Sequence, residues 1–271
     1  MTNVLWLEQT LIDVPESDEW LSAAELDRFK DLRFVKRRSD WRLGRWTAKR
    51  AIASVLEMPE CPKSLAAIRI ETRLDGSPIA IIHDHCDQVT ISISHSGGSA
   101  VCAVAKNAAQ LGCDLELIER RGEAFLRDYF TDEEQASVAR SPIESNACWV
   151  TLLWSAKESA LKALGLGLRV DTRYVSVALE QDAGTCIKWR ALHVRCRTGR
   201  MLEGWWRLTG HYVQTIVCSP RSSAPEVINI DRQCAKEYLF PNRWTRFRNQ
   251  GEKATPIARC VHHDPGTPEE S

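Results

Sequence analysis

Leu111-Gly-Cys-Asp-Leu-Glu-Leu117 alternates apolar and other residues without a break. Successive side chains of an extended chain point to opposite sides. Leu111, Cys113, Leu115 and Leu117 therefore share one face of a strand, and Gly112, Asp114 and Glu116 share the other. Residues i and i+2 stand roughly 7 Å apart at Cα, so Asp114 and Glu116 can converge on one hard cation such as Mg2+. An ordinary solvent-facing strand shows the same pair.

Working outward, the spacing predicts a long helix from about Ser145 to Leu164, with Trp149, Leu152, Leu153, Ala156, Ala160 and Ala163 as its apolar content. Gly165 stands where a left-handed C-cap belongs. Within this helix, Trp154-Ser-Ala-Lys-Glu-Ser-Ala-Leu-Lys162 places Trp154, Glu158 and Lys162 at i, i+4 and i+8, on one face. Taken alone, Glu158 and Lys162 are a surface pair worth about 0.2–0.5 kcal/mol. If that face meets Asp114 and Glu116, three carboxylates and one lysine line one cleft. Such a cleft suits Mg2+ on a pyrophosphate and a developing phosphoryl charge.

Upstream, Ser22-Ala-Ala-Glu25 has capping-box spacing, and Leu26, Phe29, Leu32 and Val35 follow at helical intervals. A second helix is expected from Asp40 to Pro59, buried along Trp41, Gly44, Ala48, Ile52 and Val55. Ala66–Glu71 and Ile79–Ile82 read as strands around the Asp75-Gly-Ser-Pro78 turn. Val89, Ile91 and Ile93 alternate with Thr90, Ser92 and Ser94 in a half-buried strand, and 100–105 is a small apolar one. Phe125–Phe130 reads as helical, and Thr131-x-x-Glu134 is another capping box. Strands are expected at Tyr174–Leu179, Cys186–His193, Trp205–Thr209 and His211–Cys218. Helix followed by strands thus occurs twice, which predicts an α+β fold of two lobes. We place an N-terminal lobe at 1–108, a C-terminal lobe with the carboxylates at 109–220, and a partly flexible C-terminal extension at 221–271.

The chain of 271 residues carries 36 Lys+Arg against 36 Asp+Glu, and 44% of it is apolar. That balance excludes a whole-chain polycation for coating nucleic acid and an acidic disordered chain. Ten cysteines without a C-x-x-C pair, behind an N-terminus without signal-peptide character, point to reduced thiols and a cytoplasmic location. No apolar run reaches membrane-spanning length, so no membrane is expected as a partner.

Two further elements bear on chemistry. Arg42, Arg45 and Lys49 fall at i, i+3 and i+7, a basic ridge that is either a solvated face or a phosphate site. Ser94-His95-Ser96 ends a strand before Gly97-Gly98, where backbone N–H groups and His95 can approach a phosphate, or where the histidine merely caps a loop. There is no G-x-S-x-G elbow, no Walker A and no full G-x-G-x-x-G.

In combination these residues resemble one family. G-x-D-x-E (Gly112, Asp114, Glu116) followed by W-S-x-K-E-S-x-x-K (Trp154 to Lys162) is similar to the paired motif of 4′-phosphopantetheinyl transferases of the Sfp type. Ser94-His95-Ser96 and G-R-x-x-x-K (Gly44, Arg45, Lys49) stand in that family's order. The resemblance runs from about Ser22 to Ser219. It implies two pseudo-twofold α/β lobes with coenzyme A between them, and Mg2+ held by Asp114, Glu116 and Glu158. It implies coenzyme contacts from Arg45, Lys49, Arg73, Gly76, Pro78, Ser94, His95, Ser96 and Lys162. Catalytic roles fall to Asp114, to Glu158 as proton acceptor and to Lys162 as stabiliser of the 3′,5′-ADP leaving group. The acceptor would be a serine hydroxyl of an apo acyl or peptidyl carrier protein, of fatty-acid, polyketide or nonribosomal-peptide type, and the enzyme a monomer. Glu134 is either a further acid or a helix cap. One departure is Ser77, where the family has a basic residue between Gly76 and Pro78. Arg73 or Lys49 is the candidate compensation. The alternatives are a degenerate protein that binds coenzyme A or carrier without transfer, and an RNA-binding protein using the basic Asp27–Arg50 region.

Overall fold

The strand read from 111 to 117 and the long helix after it are both present, the strand opening the second half of the fold and the helix packing on its sheet. The computed structural model describes residues 2–82, 85, 89–106, 108, 110–143, 145–179 and 188–230. Its first half runs β1 (Val4–Thr10), α1 (Ala23–Lys30), α2 (Val35–Val55), α3 (Pro62–Ala66), β2 (Ile68–Thr72), β3 (Pro78–Ile82), β4 (Thr90–Ser96) and β5 (Ser99–Ala105). The second runs β6 (Gln110–Leu117), α4 (Glu123–Tyr129), α5 (Asp132–Arg140), α6 (Asn146–Ala163), β7 (Val175–Leu179), β8 (Arg190–Cys196), β9 (Met201–Thr209) and β10 (Tyr212–Ser219). The fold is α+β. In each half the last strand returns antiparallel to the first, β5 on β1 and β10 on β6. The sheets are ordered β11-β1-β5-β4 and β6-β10-β9-β8-β7, where β11 is Glu226–Val227, and β2-β3 is a two-stranded ribbon.

Each half buries one long helix against its sheet. Ala48, Ala51 and Ile52 of α2 pack with Leu7, Ile91, Cys102 and Val104. In the second half Leu153, Ala156, Ala160 and Ala163 of α6 pack with Val194, Trp206, Val213 and Val217. A third cluster, with Trp6, Val101, Leu111, Cys113, Leu115 and Ile216, lies between the two sheets. Both faces of β6 are therefore covered, and the polar face of 111–117 does not look into solvent.

Two buried lysines, Lys49 and Lys157, sit in a matched pair of devices. Ser22 caps α1 and Thr131 caps α5, each in a full capping box with Glu25 or Glu134. Each glutamate then reaches a fully buried lysine on the long helix: Lys49 Nζ lies 2.6 Å from Glu25 and Lys157 Nζ 2.8 Å from Glu134. Lys49 also donates to the carbonyls of Trp20 and Leu65, and Lys157 to those of Thr172 and Val175. The second oxygen of each glutamate accepts a strand N–H, from Ile70 at 3.3 Å and from Val177 at 2.8 Å. Burial lowers the pKa of both lysines, and the paired glutamate works against it.

Several expectations are corrected by this arrangement. Lys49 is not on an exposed ridge but inside the core, because Glu25 and two carbonyls satisfy its ammonium there. Arg42 pairs with Asp18 at the surface and Arg50 with Glu60, so the C-terminal part of the basic segment is paired, while Arg28, Arg33 and Arg37 before it stay exposed. Helix α2 begins at Val35 rather than Asp40, with Val35 itself 80% exposed instead of buried behind α1. Residues 62–66 are helical with Pro62 in the first turn, ahead of the expected strand. The proposed start of a strand at Cys186 lies outside the described residues. So does the expected extension beyond Ile230, although 221–230 are not an appendage: β11 pairs parallel with β1, and Ile228 N donates to the Trp6 carbonyl.

Breaking a buried ion pair by removing one partner costs about 3–5 kcal/mol, so Lys157→Met should destabilise the protein by that order. The double variant Glu134→Gln/Lys157→Met should recover much of the loss in urea unfolding. A loss in the double variant equal to the sum of the losses in Glu134→Gln and Lys157→Met would show that the two side chains are not coupled.

Candidate active site

The site lies where β4 meets β6. Cys113 N donates to Ser92 Oγ (2.9 Å) and Cys113 Sγ to the Ser92 carbonyl (3.1 Å), which draws the two strands together. Ser94, two residues on and on the same face of β4, donates to Asp114 Oδ1 at 2.8 Å. From α6, Lys162 Nζ reaches Asp114 Oδ1 (2.7 Å), the Cys113 carbonyl (3.1 Å) and Ser94 Oγ (3.3 Å). Glu158, one helical turn back, has Oε2 3.8 Å from the same ammonium. Glu116 accepts from Trp154 Nε1 on Oε1 (3.1 Å) and from Arg121 Nη2 on Oε2 (3.2 Å).

Helix α6 comes this close because of a missing side chain. A Cβ on Gly112 would lie 2.0 Å from the Ser159 carbonyl oxygen and 2.5 Å from Ala163 N, both backbone atoms that cannot step aside. Glycine at this position lets the helix backbone rest on the strand. The spacing Gly112, Asp114, Glu116 is thus one contact surface and two ligating groups on a single strand face. The helix ends as expected at Gly165, which has φ 69° and lies beside the Asp75 carboxylate of the β2–β3 turn.

The electrostatics follow from crowding three carboxylates against one lysine. Burial, then Asp114 and Glu158, push Glu116 up to about 7 against the opposing pull of Arg121 and Trp154. Burial also raises Glu158, with Asp114 adding and Lys162 opposing. Burial pulls Lys162 down, but Asp114, the Cys113 thiol and Glu158 outweigh it and its pKa rises. Asp114 is 3% exposed, and its Oδ2 has no hydrogen-bond partner. Among the described residues no group of three His, Cys, Asp or Glu side chains stands as a ready metal cage; Lys162 holds Asp114 Oδ1, and Trp154 and Arg121 hold the two Glu116 oxygens.

Ser94, Asp114, Glu158 and Lys162 are therefore together, with Glu116 beside them. His95 is exposed at the end of β4, in the field of Asp40, Lys162, Lys36 and Asp114, and Ser96 closes the β4–β5 hairpin opposite Ser99. Arg45 lies against the Trp41 ring and 3.8 Å from Glu25, largely covered. Arg73, Gly76 and Pro78 shape the β2–β3 turn, in which Ser77 donates both N–H and Oγ–H to Asp75. Lys49 belongs to the core of the first half. Glu134 is a helix cap and the counter-ion of Lys157. Sequence reasoning missed Arg121, whose only signal is a cation shortly after the acidic strand. Two surface clefts, one beside Thr2, Leu5 and Lys106 and one beside Thr131, Arg173 and Arg195, are lined by none of these residues.

Residues 110–216 match the model of the 4′-phosphopantetheinyl transferase superfamily, and Gly112, Asp114, Glu116, Trp154, Glu158 and Lys162 all fall inside that segment. The likeness to that superfamily is carried by this segment. This chain is 30% identical over 129 residues to 4′-phosphopantetheinyl transferase Sfp of Bacillus subtilis (strain 168), covering 48% of this chain and 55% of that one. It is 37% identical over 72 residues to a holo-[acyl-carrier-protein] synthase of Campylobacter curvus (strain 525.92), with 27% and 58% covered. A solved holo-(acyl-carrier-protein) synthase from Bacillus anthracis, in complex with CoA (3′,5′-ADP), gives a TM-score of 0.34 at 23% identity, over 39% of this chain and 96% of that one. The chain spans about half to two thirds of the length of the curated relatives it matches.

The position of Glu116 sets a pH dependence. Its folded pKa, about 7, stands above the ordinary 4.5, so between those values the folded form binds more protons than the unfolded one. Its contribution therefore favours folding at the acid end and is lost as pH rises from about 4.5 to about 7. In metal-free buffer, Glu116→Gln should flatten the fall in urea midpoint across this window. An unchanged slope would refute the assignment.

Proposed function

We propose that the protein transfers the 4′-phosphopantetheine group of coenzyme A to a serine hydroxyl of an apo acyl or peptidyl carrier protein, releasing 3′,5′-ADP. The observation that carries this reading is the convergence of Ser94, Asp114, Glu158 and Lys162 at the β4–β6 seam, within and beside the segment that matches the superfamily. The reading takes 1–108 and 109–220 as two lobes sharing one site, in a monomeric cytoplasmic enzyme. Among the described residues no helix is long and apolar enough to cross a membrane.

In the transfer, the serine oxygen forms a bond to the phosphorus that carries pantetheine, and the bond from that phosphorus to the 3′,5′-ADP oxygen breaks. The serine proton goes to the Glu158 carboxylate, which burial has made a better base than an exposed glutamate. Lys162, held protonated by its carboxylate neighbours, faces the charge that gathers on the leaving oxygen. Ser94, His95 and Ser96, with Arg45 and the Arg73–Pro78 turn, are assigned to the coenzyme phosphates. Lys49 is left out, because its ammonium is consumed by Glu25 and two carbonyls. Asp114, Glu116 and Glu158 would hold Mg2+. They are three hard oxygen donors, and one buried oxygen, Asp114 Oδ2, is free to ligate. When bound, the ion neutralises charge on the pyrophosphate. Of the bases on which the RNA-binding alternative rests, Lys49 and Arg50 are buried against Glu25 and Glu60 while Arg28, Arg33 and Arg37 stay exposed, and strongly salt-dependent RNA binding that survives Asp114→Ala would favour that reading.

The test incubates the protein with Mg2+, coenzyme A and an apo carrier protein and weighs the carrier. A phosphopantetheine mass gain is expected. Asp114→Ala and Glu158→Ala should each lower its rate at least about a hundredfold, the order seen when one transition-state stabilising group is removed, in proteins that keep their circular dichroism. No gain with several carriers sinks the transferase reading in favour of a non-catalytic binder. Full activity in either variant removes that residue from the mechanism.

A further inference from the structure

We infer that Arg121 is the resident counter-cation of Glu116 and competes with a divalent cation for that carboxylate; this rests on the reading of Asp114, Glu116 and Glu158 as the metal-holding groups. The two Glu116 oxygens have different partners. Trp154, on Oε1, is a neutral donor whose indole orients the carboxylate without opposing a cation. Arg121, on Oε2, brings a full charge at 3.2 Å. The two side chains are 21% and 24% exposed, so water screens the pair only in part.

Arg121 is held there by more than Glu116. Its guanidinium lies 4.6 Å from the centre of the Phe125 ring and 5.7 Å from that of Trp154, distances at which a ring face attracts a cation. Those rings are fixed in turn, Phe125 edge-on to Trp154 at 5.0 Å and Tyr129 at 5.3 Å. The charge is pre-placed on an aromatic platform of α4 and α6, over the one carboxylate of the three that Lys162 does not touch. A cation taking up Glu116 has to share Oε2 with the guanidinium or displace it. Either route weakens its binding, so Arg121 raises the metal concentration at which the site fills. A purely supporting arginine would have the opposite effect, since its loss would let the carboxylate swing.

The sign of one measurement separates the two. The full-length protein, stripped of metal, is titrated with Mn2+, and free Mn2+ is followed by electron paramagnetic resonance, with no turnover involved. Arg121→Gln should bind Mn2+ about three- to tenfold more tightly than the parent, as expected for the loss of one partly screened charge. Arg121→Lys, which keeps the charge, should stay closer to the parent than Arg121→Gln does. Equal or weaker binding by Arg121→Gln with the parent's unfolding midpoint overturns the competition, and if Arg121→Gln does not fold, Arg121→Met is titrated in its place and read the same way. Asp114→Ala tests the underlying reading separately. If it abolishes binding while Arg121→Gln leaves affinity unchanged, the metal site stands and the inference falls. If neither the parent nor Arg121→Gln binds Mn2+, both fall together.

Discussion

The buried Glu134–Lys157 contact is the constraint on which the site depends. Placing an ammonium and a carboxylate in a core is costly, and the cost is offset only when every donor and acceptor is satisfied. Here they are: the capping box, two backbone carbonyls and a strand N–H complete the pair. Because Lys157 must face that core, its neighbour Glu158 is turned by one helical step, and Lys162 follows on the same face as Glu158. The rotation of α6 about its own axis is thereby fixed, and with it the aim of the two side chains at β6. Gly112 sets the remaining variable, the distance between helix and strand.

Much of this was legible in the residues. The alternation of 111–117 and the spacing of 154–162 survive burial because each keeps its period whatever covers it. Both capping boxes were readable too, since their residues are local. The lysines that complete them were not. Arg42, Arg45 and Lys49 have the spacing of a polar helix face, and nothing local distinguishes a lysine aimed at water from one aimed at a glutamate on another helix. The same limit hid Arg121, whose partners are a strand residue and two rings on different helices.

The polar face of β4 teaches a related point. Ser92 and Ser94 read as the solvent side of a half-buried strand. The structure turns that side onto β6, where Ser92 meets the backbone of Cys113 and Ser94 meets Asp114. A polar stripe in a two-part molecule can be the adhesive between parts. The candidate constellation is consequently divided, with a serine from one half and the acids and lysine from the other, so that neither half holds it alone.

The short strand β11 has a consequence for how such a chain can be rearranged. After completing its second sheet, the polypeptide crosses back and lays Glu226 and Val227 beside Leu5 and Trp6. The first sheet is thus finished by residues that follow the whole of the second sheet in the chain. A genetic exchange that swapped the leading half as a cassette would bring in a sheet whose outer edge had been shaped for a different closing segment. Such an exchange keeps the edge of the first sheet only if the segment around Glu226 and Val227 is carried along with the leading half.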